Sequence, residues 1–200
     1  MQEIEAKFYV QDLKRIEARL QNLEARLIQP RILETNLRFD LPDGGLRSKG
    51  QVLRLRQDSE TRLTYKNSGT REQGVVNRRE IEFIVEDFEK AKLFLEALGY
   101  QKLLEYDKYR TTYEFDNCHI MLDELPYGNF VEIEGENIQA IHSMAIKLNL
   151  NWQAAISDSY SFLFEKVRQT LGLTFTDLTF ATFNGIQVSS EHLQVQSADD

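Results

Sequence analysis

The chain has 200 residues, 42% of them hydrophobic and 28% charged, which suits one compact domain with a real core. No run approaches the ~18 consecutive apolar residues of a membrane span, and the N-terminal MQEIEAKFYV, with two acids and no apolar run, does not read as a secretory signal. The formal net charge of −8 argues against a dedicated nucleic-acid binder, and a lone cysteine, Cys118, cannot close an internal disulfide. The expectation is therefore a cytoplasmic protein with neither membrane nor nucleic acid as partner; a homodimer is compatible with it.

Residues 3–8 alternate Glu3, Glu5 and Lys7 with Ile4, Ala6 and Phe8, the period of a strand. Asp12 then caps a helix with an apolar stripe of Leu13, Ile16, Leu20, Leu23 and Leu27, closed by Pro30. Strand-like pieces follow at Thr35–Leu41, Gln51–Gln57, Arg62–Asn67 and Val75–Val85. Between them, Asp43–Gly50 reads as a mobile arm or a solvated loop, and Ser68–Gly74 as a polar loop. Asp87 starts a helix that Gly99 stops. Lys102–Phe115, His119–Leu125 and Asn129–Glu134 read as strands, and residues 137–188 as mostly helical, with stripes at Ile138, Ile141, Met144, Ala145, Leu148 and at Tyr160, Leu163, Phe164, Val167. The pattern predicts an α+β, mainly β fold, an antiparallel sheet of about eight strands closed on itself with helices outside. Residues 1–188 form a single domain and residues 189–200 a fraying polar tail.

One face of nearly every strand is ionic: Glu3, Glu5, Lys7; Arg54, Arg56; Thr64, Lys66; Arg78, Glu80, Glu82; Lys108, Arg110; Asp123; Glu132, Glu134. A single such strand is ordinarily a solvated sheet face. Recurrence on almost every strand of a sheet long enough to close predicts a charged interior instead, with the apolar faces turned to the helices. Carboxylates supply hard oxygen ligands for Mg²⁺ or Mn²⁺, whereas arginine and lysine bind phosphate oxygens. The mixture suits a polyphosphate carried with its metal ion.

The segments MQEIEAKF, with its E-x-E-x-K, then VLRLR, LTYK, NRREIEF, YDKYR and LDEL…GNFVEIE occur in an order that resembles the CYTH family, the triphosphate tunnel metalloenzymes, over residues 3–134. That family includes class IV adenylate cyclases, thiamine triphosphatases and inorganic triphosphatases. The resemblance implies an eight-stranded antiparallel tunnel. It implies metal-binding carboxylates at Glu3, Glu5, Glu132 and Glu134, completed by Asp123 and by Glu80 or Glu82. It implies a triphosphate clamp of Lys7, Arg54, Arg56, Lys66, Arg78 and Arg110, and a proton-transfer role for Lys108, with Glu132 and Glu134 at the catalytic metal. Members often carry an aromatic near the position of Arg38, so the resemblance does not carry a tyrosine-assisted proton transfer over to this chain; the expectation is that Arg38 extends the basic clamp.

The expected activity is metal-dependent hydrolysis of inorganic tripolyphosphate or a small organic triphosphate. The alternatives are cyclisation of ATP, hydrolysis of thiamine triphosphate with Trp152 as an aromatic platform, and non-catalytic polyphosphate or nucleotide binding. His119, His142 and His192 are in no ligand spacing, and adjacent Cys118 and His119 would point to opposite faces of a strand.

Overall fold

The computed structural model describes residues 2–199. In chain order the elements are β1 (Gln2–Val10), α1 (Leu13–Asn22), β2 (Arg26–Asp40), β3 (Val52–Gln57), β4 (Thr61–Lys66), β5 (Thr70–Glu72), β6 (Val75–Val85), α2 (Phe88–Ala97), β7 (Gln101–Phe115), β8 (Cys118–Leu125), β9 (Gly128–Glu134), α3 (Ile138–Lys147), β10 (Ala155–Ile156), α4 (Tyr160–Leu171) and α5 (Ser190–Leu193). Eight strands run β1-β9-β8-β7-β2-β3-β4-β6, and β6 pairs back onto β1, so the antiparallel sheet closes into a barrel. Two short strands lie outside the ring: β5 extends β6, and β10 takes the edge of β1 that β6 leaves free, opposite Lys7 and Phe8.

Closure is possible because the apolar strand faces have partners outside. Ala6, Phe8, Val10, Ile120, Leu122, Val131 and Ile133 pack under Ile16 and Leu20 of α1 and Ile141, Met144 and Leu148 of α3. Leu37, Phe39, Leu53 and Leu55 pack under Leu95 of α2. The third cluster joins Leu104, Tyr127 and Phe130 to Leu163, Phe164 and Val167 of α4 and to Leu178, Phe183 and Leu193 downstream. Burying a large aliphatic or aromatic side chain contributes roughly 1.5–3 kcal/mol, so these three outer cores hold the charged interior in place. The expected outward faces of β1, β3, β8 and β9 are all used this way. On β6, Ile81 and Phe83 stay exposed.

Several boundaries differ from the sequence expectation, for physical reasons. The first helix stops at Asn22 rather than near Pro30. Glu24 adopts a left-handed backbone (φ 57°), and the Ala25 N–H bonds back to the Leu20 carbonyl, a helix-stopping turn. Leu27 therefore leaves the helical stripe and is 47% exposed on β2. Pro30 lies within β2, in a stretch that pairs only with β7 and carries register shifts on both sides, where a missing N–H is tolerated. The Asp43–Gly50 segment is tied down: the buried Asp40 carboxylate accepts from the Leu41, Leu46 and Arg47 N–H groups. The Ser68–Gly74 loop holds β5. Between α4 and α5 the chain is irregular rather than helical, and bonds by Leu178 to the Glu105 carbonyl and the Asp107 N–H of β7. Phe175 and Phe183 pack on Phe164, and Phe180 on Tyr109, as expected of a segment docking on the barrel.

The last described residues, up to Asp199, are not a frayed tail. Leu193, Ala198 and Asp199 are buried, and the Asp199 carboxylate accepts from the N–H groups of Gln11 and Asp12 and from the Ser197 hydroxyl. Charge-assisted bonds of this kind are worth more than neutral ones. Asp199→Ala is expected to destabilise the fold by about 2 kcal/mol, lowering the melting temperature by roughly 4–8 °C in a thermal-unfolding experiment, whereas a freely fraying terminus would show no change.

Candidate active site in the tunnel

The barrel encloses a cavity of ≈ 760 Å³, a size ordinary for a small-molecule site. Among the residues expected to carry function, all but Asp123 line it. Glu3, Arg56, Lys66 and Glu134, which open exposed faces would have splayed apart, share one interior.

The acidic end is built where β6 closes onto β1. Their register sets Glu3 opposite Arg78, and Arg78 donates through Nε to Glu3 Oε2 (2.7 Å) and through Nη2 to Glu5 Oε1 (3.2 Å). Lys66 Nζ lies 2.6 Å from Glu3 and 3.1 Å from Glu80. Burial opposes ionisation of Glu3, yet Lys66 and Arg78 hold its carboxyl down to about 2. Glu134 is the opposite case. It sits across from Glu5 on β9. Burial, followed by the neighbouring charges of Glu3, Glu5 and Glu80, pushes it up to about 7. Burial and nearby carboxylates raise Glu5 and Glu80 as well. This end therefore carries more carboxylate than its bases neutralise.

The middle of the tunnel is a compact ion network. Glu132 lies 3.2 Å from Lys7 and also accepts from Arg110; against burial, Lys7, Arg110 and Lys108 hold it well below the usual carboxylate range. Its partners are thus Lys7 and Arg110. Asp123 is fully buried beneath the cavity and accepts from Lys108 (3.0 Å), from Arg110 twice (both 2.6 Å) and from the Tyr160 hydroxyl (2.7 Å). Three of these donors meet Oδ2 and one meets Oδ1, so in this arrangement Asp123 anchors the bases that line the tunnel. Thr64 and Arg56 hold Glu82 at 2.7 and 3.2 Å, and Arg54 also reaches it.

Glu34 belongs to the same network but lay outside the sequence expectation. It is buried, 3.5 Å from Lys108 and from Arg56 and 3.9 Å from Arg110. The alternation Glu34, Asn36, Arg38 was present to be read; starting the strand at Thr35 cut it off by one residue. Tyr106, two residues before Lys108 on the same face, was legible by the same parity. Burial raises its phenol, but Arg54, Lys108 and Arg38 together lower it further than burial lifts it. Tyr160 had no local signal. It enters from α4, which β10 steers to the tunnel end, and its ring lies under Lys7 and Lys108 at 4.3 and 5.3 Å. Trp152 is not at the tunnel: it packs against Phe8 and His142. Cys118 is buried whereas His119 faces the cavity, on opposite sides of β8 as expected.

Among the described residues no three carboxylate, imidazole or thiolate groups stand together as a ready-made metal cage. The donor set nevertheless fits Mg²⁺ or Mn²⁺ in kind. These hard cations need only one or two carboxylates, with water and substrate phosphate completing the shell, and the raised Glu134, Glu5 and Glu80 mark where added positive charge is most favourable.

Glu34 also makes the site responsive to acid. Lys108, Arg110, Arg56 and Arg54 outweigh burial and hold its carboxyl at about 2, below the ~4.5 of an unfolded glutamate. The stabilisation is full above about pH 4.5 and is lost as the pH falls toward 2, about 3 kcal/mol across that window. In urea titrations Glu34→Gln is expected to be less stable at pH 7 and to lose less stability than the parent between pH 5 and 3; equal slopes in the two proteins would show that Glu34 is not held ionised.

The fold has clear relatives. The barrel is similar to the PH1012 protein of Pyrococcus horikoshii OT3 (24% identity, TM-score 0.68, 79% of this chain and 96% of that one) and to a candidate adenylate cyclase of Vibrio parahaemolyticus (20%, 0.70, 82% and 97%). It is also similar to HpAC1 of Hippeastrum, a candidate adenylyl cyclase with a dominant triphosphatase activity (16%, 0.59, 97% and 100%). No curated protein matches the chain by sequence, and no helix among the described residues is long and apolar enough to cross a membrane. The CYTH domain model matches residues 1–158, and with the closed barrel and its charged interior this establishes that the chain belongs to the CYTH domain family.

Proposed function

We propose that this chain is a divalent-metal-dependent triphosphatase that hydrolyses inorganic tripolyphosphate, or a small organic triphosphate, inside the barrel. The observation that carries the proposal is the division of one cavity into a base-rich wall and a carboxylate-rich end whose Glu134 is pushed up to about 7. A triphosphate satisfies the bases, and its counter-ion satisfies the acids. The dominant triphosphatase activity of the Hippeastrum relative points the same way.

In this scheme Lys66, Arg78, Arg56 and Arg54 exchange part of their carboxylate contacts for phosphate oxygens, and Arg110 offers its fork to the bridging region. Lys108 is held by Asp123 and Glu34 with its Nζ ready to share a proton with the leaving oxygen. Water adds to a terminal phosphorus, the bridging P–O bond breaks, and phosphate and diphosphate leave. Glu3, Glu5 and Glu134, with Glu132 and Glu80 or Glu82 beside them, would hold the ion. When bound, Mg²⁺ or Mn²⁺ withdraws charge from the phosphate oxygens and renders a coordinated water more acidic. Most of the rate gain comes from positioning and fixed charge. Cyclisation of ATP would need a base platform. Of the lining rings, Tyr106 and Tyr160 are engaged with Arg54 and Asp123 and Trp152 lies elsewhere, which leaves Phe83 and His119 for a base; the preference for hydrolysis therefore leans on the activity of the Hippeastrum relative.

The experiment is a metal-by-substrate screen with tripolyphosphate, ATP and thiamine triphosphate that resolves the products, run on the parent and on Glu134→Gln. The expected result is phosphate release that requires Mg²⁺ or Mn²⁺, is abolished by chelator, and falls at least ~100-fold in the variant. The variant should melt no lower than the parent, because its neutral amide removes one of several crowded carboxylates. Cyclic nucleotide as the main product, or full activity in Glu134→Gln, would exclude this assignment.

A further inference from the structure

The cations of the tunnel are not equivalent. Lys7, Arg54, Arg56, Lys66, Arg78, Lys108 and Arg110 each have a carboxylate within ion-pair distance. Among the described residues Arg38, which also lines the cavity, has none. Its one hydrogen bond to a side chain is neutral, from Nη1 to the Ser161 hydroxyl at the start of α4 (2.5 Å), and its Nε is shut off from solvent with no partner. Asp40, two residues further along the strand, is occupied by three backbone N–H groups of the following loop. On the same face of β2, Asn36 is fully buried, and neither its amide nitrogen nor its amide oxygen has a partner.

A guanidinium half-withdrawn from water with no ion-pair partner is unfavourable for the fold. Burial, with Arg54 and Arg78, depresses its basicity against the opposing pull of Tyr106 and Asp40. Such a group is a site waiting for an anion from outside the chain.

We propose that Arg38 forms a phosphate subsite of its own, the anchor that gives this tunnel its affinity for a triphosphate before any metal is present. The inference rests on the triphosphatase reading and deepens it. Lys7, Arg54, Arg56, Lys66, Arg78, Lys108 and Arg110 must release internal carboxylates before they grip phosphate, and Arg71, which lines the cavity without an ion pair, is exposed; Arg38 is recessed and has no carboxylate to release. The stability lost in the empty protein returns as binding when a phosphate oxygen arrives, the trade expected where a site carries strain for function.

The test is calorimetric titration with tripolyphosphate in chelator, where no turnover occurs, together with melting of the ligand-free protein. R38Q and R38M are expected to bind tripolyphosphate at least ~10-fold more weakly while melting about 2 °C or more above the parent. S161A, which keeps the cation and loses only its neutral partner, is expected to bind at least as tightly as the parent. A purely structural Arg38 would lower the melting temperature when replaced, and that result overturns the inference. So does equal affinity in parent and R38Q, or no binding by the parent without metal. None of these outcomes touches the metal-dependent assay, so this subsite and the triphosphatase assignment can fail separately.

Discussion

Everything in the molecule depends on the pairing of β6 with β1. Without it the sheet would be open, the ionic strand faces would look into water, and their charges would be ordinary surface charges worth little to stability or binding. With it, Glu3 stands opposite Arg78, and every ionic face is turned inward at once. Closure alone converts a repeated surface pattern into a site. It is enforced from outside, by three apolar clusters that pull helices onto the outer wall, rather than by the charges themselves, whose gathering opposes folding unless each finds a partner.

That requirement explains why the interior holds acids and bases in almost matched measure although the chain as a whole carries −8. Of the side chains lining the cavity, cations outnumber carboxylates, and Glu34 and Asp123 beneath the wall narrow the difference. The net charge of the protein is thus no guide to the ligand; the local balance is. The imbalance is uneven along the tunnel, too acidic around Glu134 and too basic around Arg38, and a triphosphate with its cation has the complementary division of charge.

How much of this was legible in the sequence depended on how local each determinant is. Period-two alternation is local, so the inward residues of β1, β3, β4, β6, β8 and β9 could be read directly. The match was less good where two periodicities overlapped. The run Leu20, Leu23, Leu27 keeps helical spacing past the point where Glu24 turns the chain, and following it hid the first half of β2 and with it Glu34. Contacts made at long range left no local trace: Tyr160 reaching Asp123 from α4, and Asp199 capping the start of α1 from the far end of the chain. The partner of each charge was equally hidden. Strand parity puts Glu132 and Asp123 inside, but only the register and the arrival of α4 decide that Glu132 remains at the cavity wall while Asp123 is sealed beneath it.

The matched charges also determine how a ligand could enter. A triphosphate brings several negative charges into a space where most bases already hold a carboxylate, so each phosphate contact sets an acid free. Freed carboxylates in a low-dielectric interior repel both one another and the incoming phosphate. On the proposed function, a divalent cation would relieve this by taking up the displaced acids and the phosphate oxygens together, so that substrate and metal would each raise the other's affinity, as linkage requires. In this view the glutamates have two successive roles. In the empty tunnel they keep the arginines and lysines neutralised. With substrate present, the same oxygens are released in the place where the accompanying ion needs them.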